Sequence, residues 1–189
     1  MLEELIQLDK DVFIFLNGLG TSTWDSFWLF ITNKRSSIPL YLLLLIFSYR
    51  NLGLKKTLIL LVTIGLLITV TDQLANFFKY GVQRLRPCHD ADVNGLMRLV
   101  KSYCGGEFGY FSAHAGNSFA IATFFTLLLK SKVKFIGFFL IIWALIVGYS
   151  RIYIGVHFPL DVITGIGIGT LFGWLFTRLY IFATLKIKT

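Results

Sequence analysis

Apolar residues fall at helical rather than alternating spacing from the start of the chain. Leu5, Leu8, Val12, Phe15, Leu16 and Leu19, with acids and Lys10 between them, predict an amphipathic helix over residues 3–19 lying at a bilayer surface. Residues 24–32 are apolar but too short to cross hydrocarbon untilted. Asn33-Lys34-Arg35-Ser36-Ser37 interrupts them, and residues 38–49 are apolar again. Two readings stay open here: one broken span, or an interfacial helix followed by a span. Residues 58–78, 115–129, 135–149 and 159–182 predict further spans, and a long polar loop occupies 88–111. The 58–78 span is not uniformly apolar. Asp72, Asn76 and Lys79 recur on one helix face, which must look into a bundle rather than at lipid. Continuation of that helix would carry Arg86 two turns further on the same face, before Pro87 ends it.

Composition settles the class. With 189 residues, 56% hydrophobic and 15% charged, and a mean hydropathy of +0.72, the chain is too apolar for a soluble domain. The expectation is an all-α polytopic membrane bundle of about five or six spans. Residues 1–23 form a surface helix and linker, and 24–189 form the transmembrane domain. Residues 1–10 carry Glu3, Glu4 and Asp9 rather than a basic leader, so insertion is expected to rely on the spans themselves.

The net charge of +8 does not point to nucleic acid, because the basic residues lie mostly in loops between apolar runs. Arg50, Lys55 and Lys56, then Lys130, Lys132 and Lys134, then Lys186 and Lys188 fall on one side, which the positive-inside rule makes cytoplasmic. Lys79, Arg84, Arg86, Arg98, Lys101 and Arg151 are then basic residues on the opposite side, where an anionic substrate would account for them. The expected location is an inner cell membrane, with the site facing the exterior or periplasm. Cys88 and Cys104 share the polar loop, and a disulfide and two free thiols both remain open. Zinc has little support from their spacing.

Three segments carry candidate chemistry, and this topology brings all three to one surface. Around Ser150–Asp161, Pro159 suits the first position of a helix, His157 sits just ahead of it, and Asp161 falls in the first turn, where the helix dipole favours a carboxylate. Lys79 and Arg86 supply a point charge and a planar fork for phosphoryl oxygens. Ser112, Ala113 and His114 open a span, where free backbone N–H groups make a further anion site. The set reads as a phosphate site at a membrane surface.

Lys79-x6-Arg86-Pro87, Ser112-x-His114 and Ser150-Arg151-x5-His157-x3-Asp161, in this order between apolar spans, resemble the three-part signature of the type 2 phosphatidic acid phosphatase (PAP2) family. The middle part departs from its usual Pro-Ser-Gly-His, with Phe111 for the proline and Ala113 for the glycine. The resemblance implies that His157 attacks phosphorus, Asp161 holds its tautomer, and His114 protonates the leaving group and then activates water. Lys79, Arg86, Ser112, Ala113 and Arg151 would bind the phosphoryl oxygens. No metal and no other cofactor is expected, since the cations supply the electrostatic stabilisation. The implied partner is a membrane lipid phosphate: a polyprenyl diphosphate, phosphatidylglycerol phosphate, phosphatidic acid or a lipid A phosphate. Undecaprenyl diphosphate is favoured by the resemblance to small single-bundle members with a short surface helix, although the residues do not select among these lipids or fix an oligomeric state. A non-catalytic lipid-binding or lipid-moving protein, and a lipid phosphoryl or head-group transferase, are the competing classes.

Overall fold

In the computed structural model, which describes residues 1–185, six helices follow in order. They are α1 (Leu2–Gly18), α2 (Ser22–Thr32), α3 (Ile38–Val82), α4 (Ala113–Leu129), α5 (Ile136–Tyr153) and α6 (Pro159–Thr184). Lys186 and Lys188, used above for orientation, lie outside the described residues. The chain thus forms the all-α membrane bundle expected from its sequence. Among the described residues, the one β-type pairing is an isolated antiparallel bridge between Leu85 and Phe108.

Gly53 divides α3. Its φ of 76° is one that a residue with a side chain rarely adopts. The chain reverses there, so that Tyr41 and Ile68 line a common recess between the limbs 38–52 and 54–82. With the limbs counted separately, five helical segments run between the two ends of the bundle. The eleven residues of α2 reach only about 16 Å, which resolves the open reading of 24–49 as an interfacial helix followed by a span.

Hydroxyl residues within the spans return their protons to the carbonyl four residues back: Ser48 to Leu44, Thr63 to Ile59, and Thr71 to Leu67 at 2.7–2.9 Å. In hydrocarbon no water is present to take them. Phe77, Phe138, Phe139 and Phe182 are exposed on the bundle exterior, as suits side chains facing lipid. The interior is apolar, with Leu60, Leu67, Phe119, Phe124, Phe125 and Leu140 in one buried cluster.

The N-terminal helix is amphipathic, but its polar stripe docks on the protein. Asp9, Phe13 and Asn17 form its buried face, while Leu8, Phe15 and Leu19 are exposed. The Asn17 amide donates to the Ile152 and Tyr153 carbonyls at 3.2 and 2.9 Å, capping the end of α5. Lys10 pairs with Asp90 and Asp92 of the polar loop at 2.9 and 2.8 Å. That loop is closed by a disulfide between Cys88 and Cys104, so both thiolates that a zinc ion would need are used.

At the centre, α4 lies against α6 through small residues. A Cβ on Gly165 would sit 2.7 Å from the Ser112 carbonyl oxygen, and one on Gly173 would sit 2.6 Å from that of Ala120. Gly169 faces the Gly116 backbone in the same way, whereas Gly167 has nothing within 4 Å of a Cβ. Gly169→Leu is therefore expected to force the helices apart and destabilise the bundle by about 1–3 kcal/mol or more. Gly167→Leu should be close to neutral. Thermal unfolding of both variants in detergent checks the contrast.

Candidate active site

One end of the bundle is built from helix termini and one extended segment. At the first, Pro159 begins α6 and the Asp161 carboxylate reaches back to accept from the Phe158 N–H at 3.0 Å. Gly155, with φ 83°, turns the chain out of α5, and an added Cβ there would collide with the Arg98 carbonyl oxygen. This turn delivers His157 to the front of α6. Its Nδ1 lies 3.3 Å from Asp161 Oδ2, which leaves Nε2 as the unprotonated nitrogen when Nδ1 carries the proton.

Ser112 caps α4, its hydroxyl accepting from the Ala115 N–H at 3.5 Å. Its own N–H donates to the Asp161 carbonyl at 3.0 Å, so the first turns of α4 and α6 are tied together. Ala113 is the first residue of α4 and has no positive φ; among the described residues, the positive-φ residues other than glycine are Gln83 and Phe135. Alanine in place of the usual glycine is therefore accommodated without backbone strain. Phe111, in place of the usual proline, is fully buried and packs edge-on to Phe78 at 5.7 Å.

The route to Arg86 differs from the helical continuation read in the sequence. The helix ends at Val82, because Gln83 adopts a left-handed conformation and returns its N–H to the Lys79 carbonyl. Arg84 to Arg86 then run extended, pairing with Glu107 to Gly109 through Arg86 N–H to Glu107 O and Gly109 N–H to Arg84 O. Arg86 thus reaches the site from a short ladder, with its guanidinium on the Phe108 and Val156 carbonyls at 3.2 Å each.

Lys79, Arg86, Ala113, His114, Arg151 and His157 all line one cavity of about 350 Å³. Lys34, Asp72, Gln73 and Asn76 complete its wall. Asp72 accepts from Asn117 of α4 at 2.8 Å, so it serves helix-to-helix bonding as well as the cavity. The Ser112 side chain is buried at the α4 cap and is not part of the wall. Arg151 is almost wholly buried, donates to the Thr32 hydroxyl, and has an Nε with no hydrogen-bond partner among the described residues. A buried N–H of this kind asks for an acceptor. Below, an adjoining cavity shares Lys34, Asp72, Ala113 and His114 and descends to Tyr41, Ile68 and Ile121. The apolar recess between the limbs of α3 takes over from those last three.

Residues 56–184 match the PAP2 superfamily. The chain belongs to the PAP2 superfamily. Along 93% of its length it is 36% identical to a lipid A 4'-phosphatase of Bacteroides thetaiotaomicron, covering 78% of that protein. It is 28% identical to an undecaprenyl-diphosphatase of Sulfolobus acidocaldarius over 92% of this chain and 79% of that one. The crystal structure of a transmembrane PAP2-type phosphatidylglycerolphosphate phosphatase from Bacillus subtilis superposes with a TM-score of 0.73. That structure shares 20% identity, and the match covers 98% of this chain and 88% of the other.

Lys34 and Asp9 were not singled out for this site from the sequence, and Arg84 was noted only among the basic residues on its side of the membrane. Lys34 stood in an interrupting loop and comes to the site only because α2 folds back along the bundle end. Arg84 bridges two buried carboxylates, Asp161 Oδ1 at 3.0 Å and Asp9 Oδ2 at 2.5 Å, with its guanidinium 4.4 Å from the centre of the Phe158 ring. Asp9 also accepts from the Leu160 N–H at 2.9 Å. The nearest sequence signal was a basic residue within the motif's variable spacer and an acid on the polar face of α1. Arg84→Ala would leave Asp9 and Asp161 buried without their shared cation. We expect a loss on the order of 3 kcal/mol, read as a lowered unfolding temperature in detergent, with Arg84→Lys recovering only part of it because an ammonium lacks the two-pronged geometry.

Proposed function

We propose that this integral membrane lipid phosphatase removes a phosphate from lipid A, the 4'-phosphate being the position favoured. The observation that carries the reading is the single cavity in which Lys79, Arg86, Arg151, His114 and His157 meet. Support for the lipid comes from the 36% identity to the Bacteroides lipid A 4'-phosphatase, against 28% to the undecaprenyl-diphosphatase. The recesses descending from the cavity toward Ile64, Leu61 and Phe125 suit an acyl chain that stays among the spans while its head group meets the cations.

His157 Nε2 attacks phosphorus in line with the ester oxygen, and the P–O bond to the lipid breaks. Asp161 stabilises the positive charge that develops on the imidazole. His114 gives its proton to the departing alkoxide, then takes one from a water whose oxygen cleaves the phosphohistidine and releases inorganic phosphate. Lys79, Arg86 and Arg151, with the free N–H groups at the start of α4, hold the equatorial oxygens as their charge grows. The Arg151 Nε that lacks a partner is suited to one of these oxygens. Ser112 contributes through the α4 cap and its bond to the Asp161 carbonyl.

The site is read as facing away from the cytoplasm. Arg50, Lys55 and Lys56 flank the Gly53 turn at the opposite end, Lys130, Lys132 and Lys134 join α4 to α5 there, and the Cys88–Cys104 bond suits an oxidising compartment.

A panel of lipid A, undecaprenyl diphosphate, phosphatidylglycerol phosphate and phosphatidic acid, assayed for phosphate release in detergent, tests the proposal. Lipid A should be the preferred substrate, and His157→Ala should abolish turnover; full activity in that variant would remove the mechanism. Activity should persist in a chelator and be inhibited by vanadate. Burial, followed by the charges of Arg86, Arg151 and Lys79, holds His157 well below the ordinary histidine value of 6.5. The nucleophile therefore stays neutral as pH falls to 6.5, and the acid limb of kcat/KM assigned to His157 should appear only below that value.

A further inference from the structure

A further recess, of about 450 Å³, is also lined by His114. Lys34 and Arg35, from the turn between α2 and α3, and Lys101 and Tyr103, from the disulfide-closed loop, form its walls, and no carboxylate contributes. Lys101 Nζ lies 4.5 Å from the Tyr103 ring centre. Among the described residues, none of the three cations is in an ion pair. All three lie at the end of the bundle that the positive-inside rule leaves poor in cations. Like charges held around one recess repel, and an anion seated among them relieves the repulsion.

The recess shares Lys34 and His114 with the catalytic cavity. His114 is the group assigned to protonate the departing oxygen, so the recess lies on the leaving-group side. We propose that Lys34, Arg35 and Lys101 form a second anion subsite, which takes a further phosphate carried by the leaving portion of the same lipid. This rests on the lipid phosphatase reading above and deepens it: the substrate class becomes lipids with two phosphates, one cleaved and one held. Lys34, facing both recesses, spans the two anions. The same cations would also suit the phosphate of a bystander membrane lipid, and the test separates the two sources.

Binding is measured on the His157→Ala protein in micelles of zwitterionic detergent, so that turnover plays no part. The probes are a bisphosphorylated disaccharide lipid, its monophosphorylated counterpart keeping only the scissile phosphate, and a polyprenyl diphosphate. The bisphosphorylated lipid should bind roughly tenfold tighter than the monophosphorylated one, the contribution of about one charge-assisted hydrogen bond. Adding Arg35→Gln and Lys101→Gln should erase that ratio. A preference for the diphosphate alone, lost in the same variant, would place the second phosphate directly beside the first and still support the subsite. Equal binding of mono- and bisphosphorylated lipids, or a ratio untouched by the substitutions, overturns it. So does an effect of the substitutions seen only when anionic phospholipid is mixed into the micelles, which would assign the cations to the bilayer. Lys101→Glu supplies a second variant should the double substitution fold poorly, and it should invert the preference. Absence of hydrolysis by the wild-type enzyme would count against the phosphatase reading, while the binding ratio would still decide the subsite.

Discussion

One carboxylate removed from water organises one whole end of this protein. Asp161 is fully buried, which an isolated charge does not tolerate. Its oxygens are accordingly engaged by Arg84, the Phe158 N–H and the His157 imidazole. Its backbone carbonyl accepts from Ser112. Through these partners α6, the Arg84–Arg86 ladder, the turn that carries His157 and the start of α4 are fixed to one another. Arg84 extends the network to Asp9, so the amphipathic helix at the beginning of the chain is part of the scaffold behind the imidazole. The contacts that align His157 with Asp161 are thus the same contacts that close the bundle.

The bilayer imposes the complementary demand. Every polar group within the spans needs an internal partner or a polar cavity to face, and this chain uses both solutions. Serine and threonine hydroxyls fold back on their own helices, while Asp72, Asn76 and Lys79 are gathered onto a cavity face. The glycines of α6 let α4 come close enough for its N-terminal turn to sit beside Asp161. Helix packing in the middle of the bundle and the alignment of the two helix starts at its end are therefore consequences of one close approach.

Much of this was legible from residue order. The face through Asp72, Asn76 and Lys79 announced an inward-looking side of α3, and Pro159 with Asp161 announced a capped helix behind His157, because these are local periodicities and helix-end preferences. Arg86 was assigned to the right neighbourhood by the wrong path. The left-handed Gln83 ends the helix four residues early, and strand-like pairing across more than twenty positions carries no local signature. Lys34 and Asp9 were opaque to the site, and Arg84 was flagged only by its side of the membrane, for a related reason. Each depends on how an element remote in sequence folds back on the bundle end, and a basic or acidic residue looks alike in a solvated loop and in a buried bridge. Of the small residues along α6, Gly165, Gly169 and Gly173 face α4 while Gly167 points away, as the helical period requires. Which lipid is turned over leaves no local pattern, since every lipid phosphate presents the same group to the same cations.

The recesses that lead from the catalytic cavity down between the two limbs of α3 change what concentration means for this enzyme. A substrate whose chain occupies them arrives by travelling within the leaflet, so saturation is set by its mole fraction among neighbouring lipids. Diluting the membrane with inert lipid should slow turnover even when the total amount of substrate per volume is unchanged, and crowding in two dimensions governs the encounter.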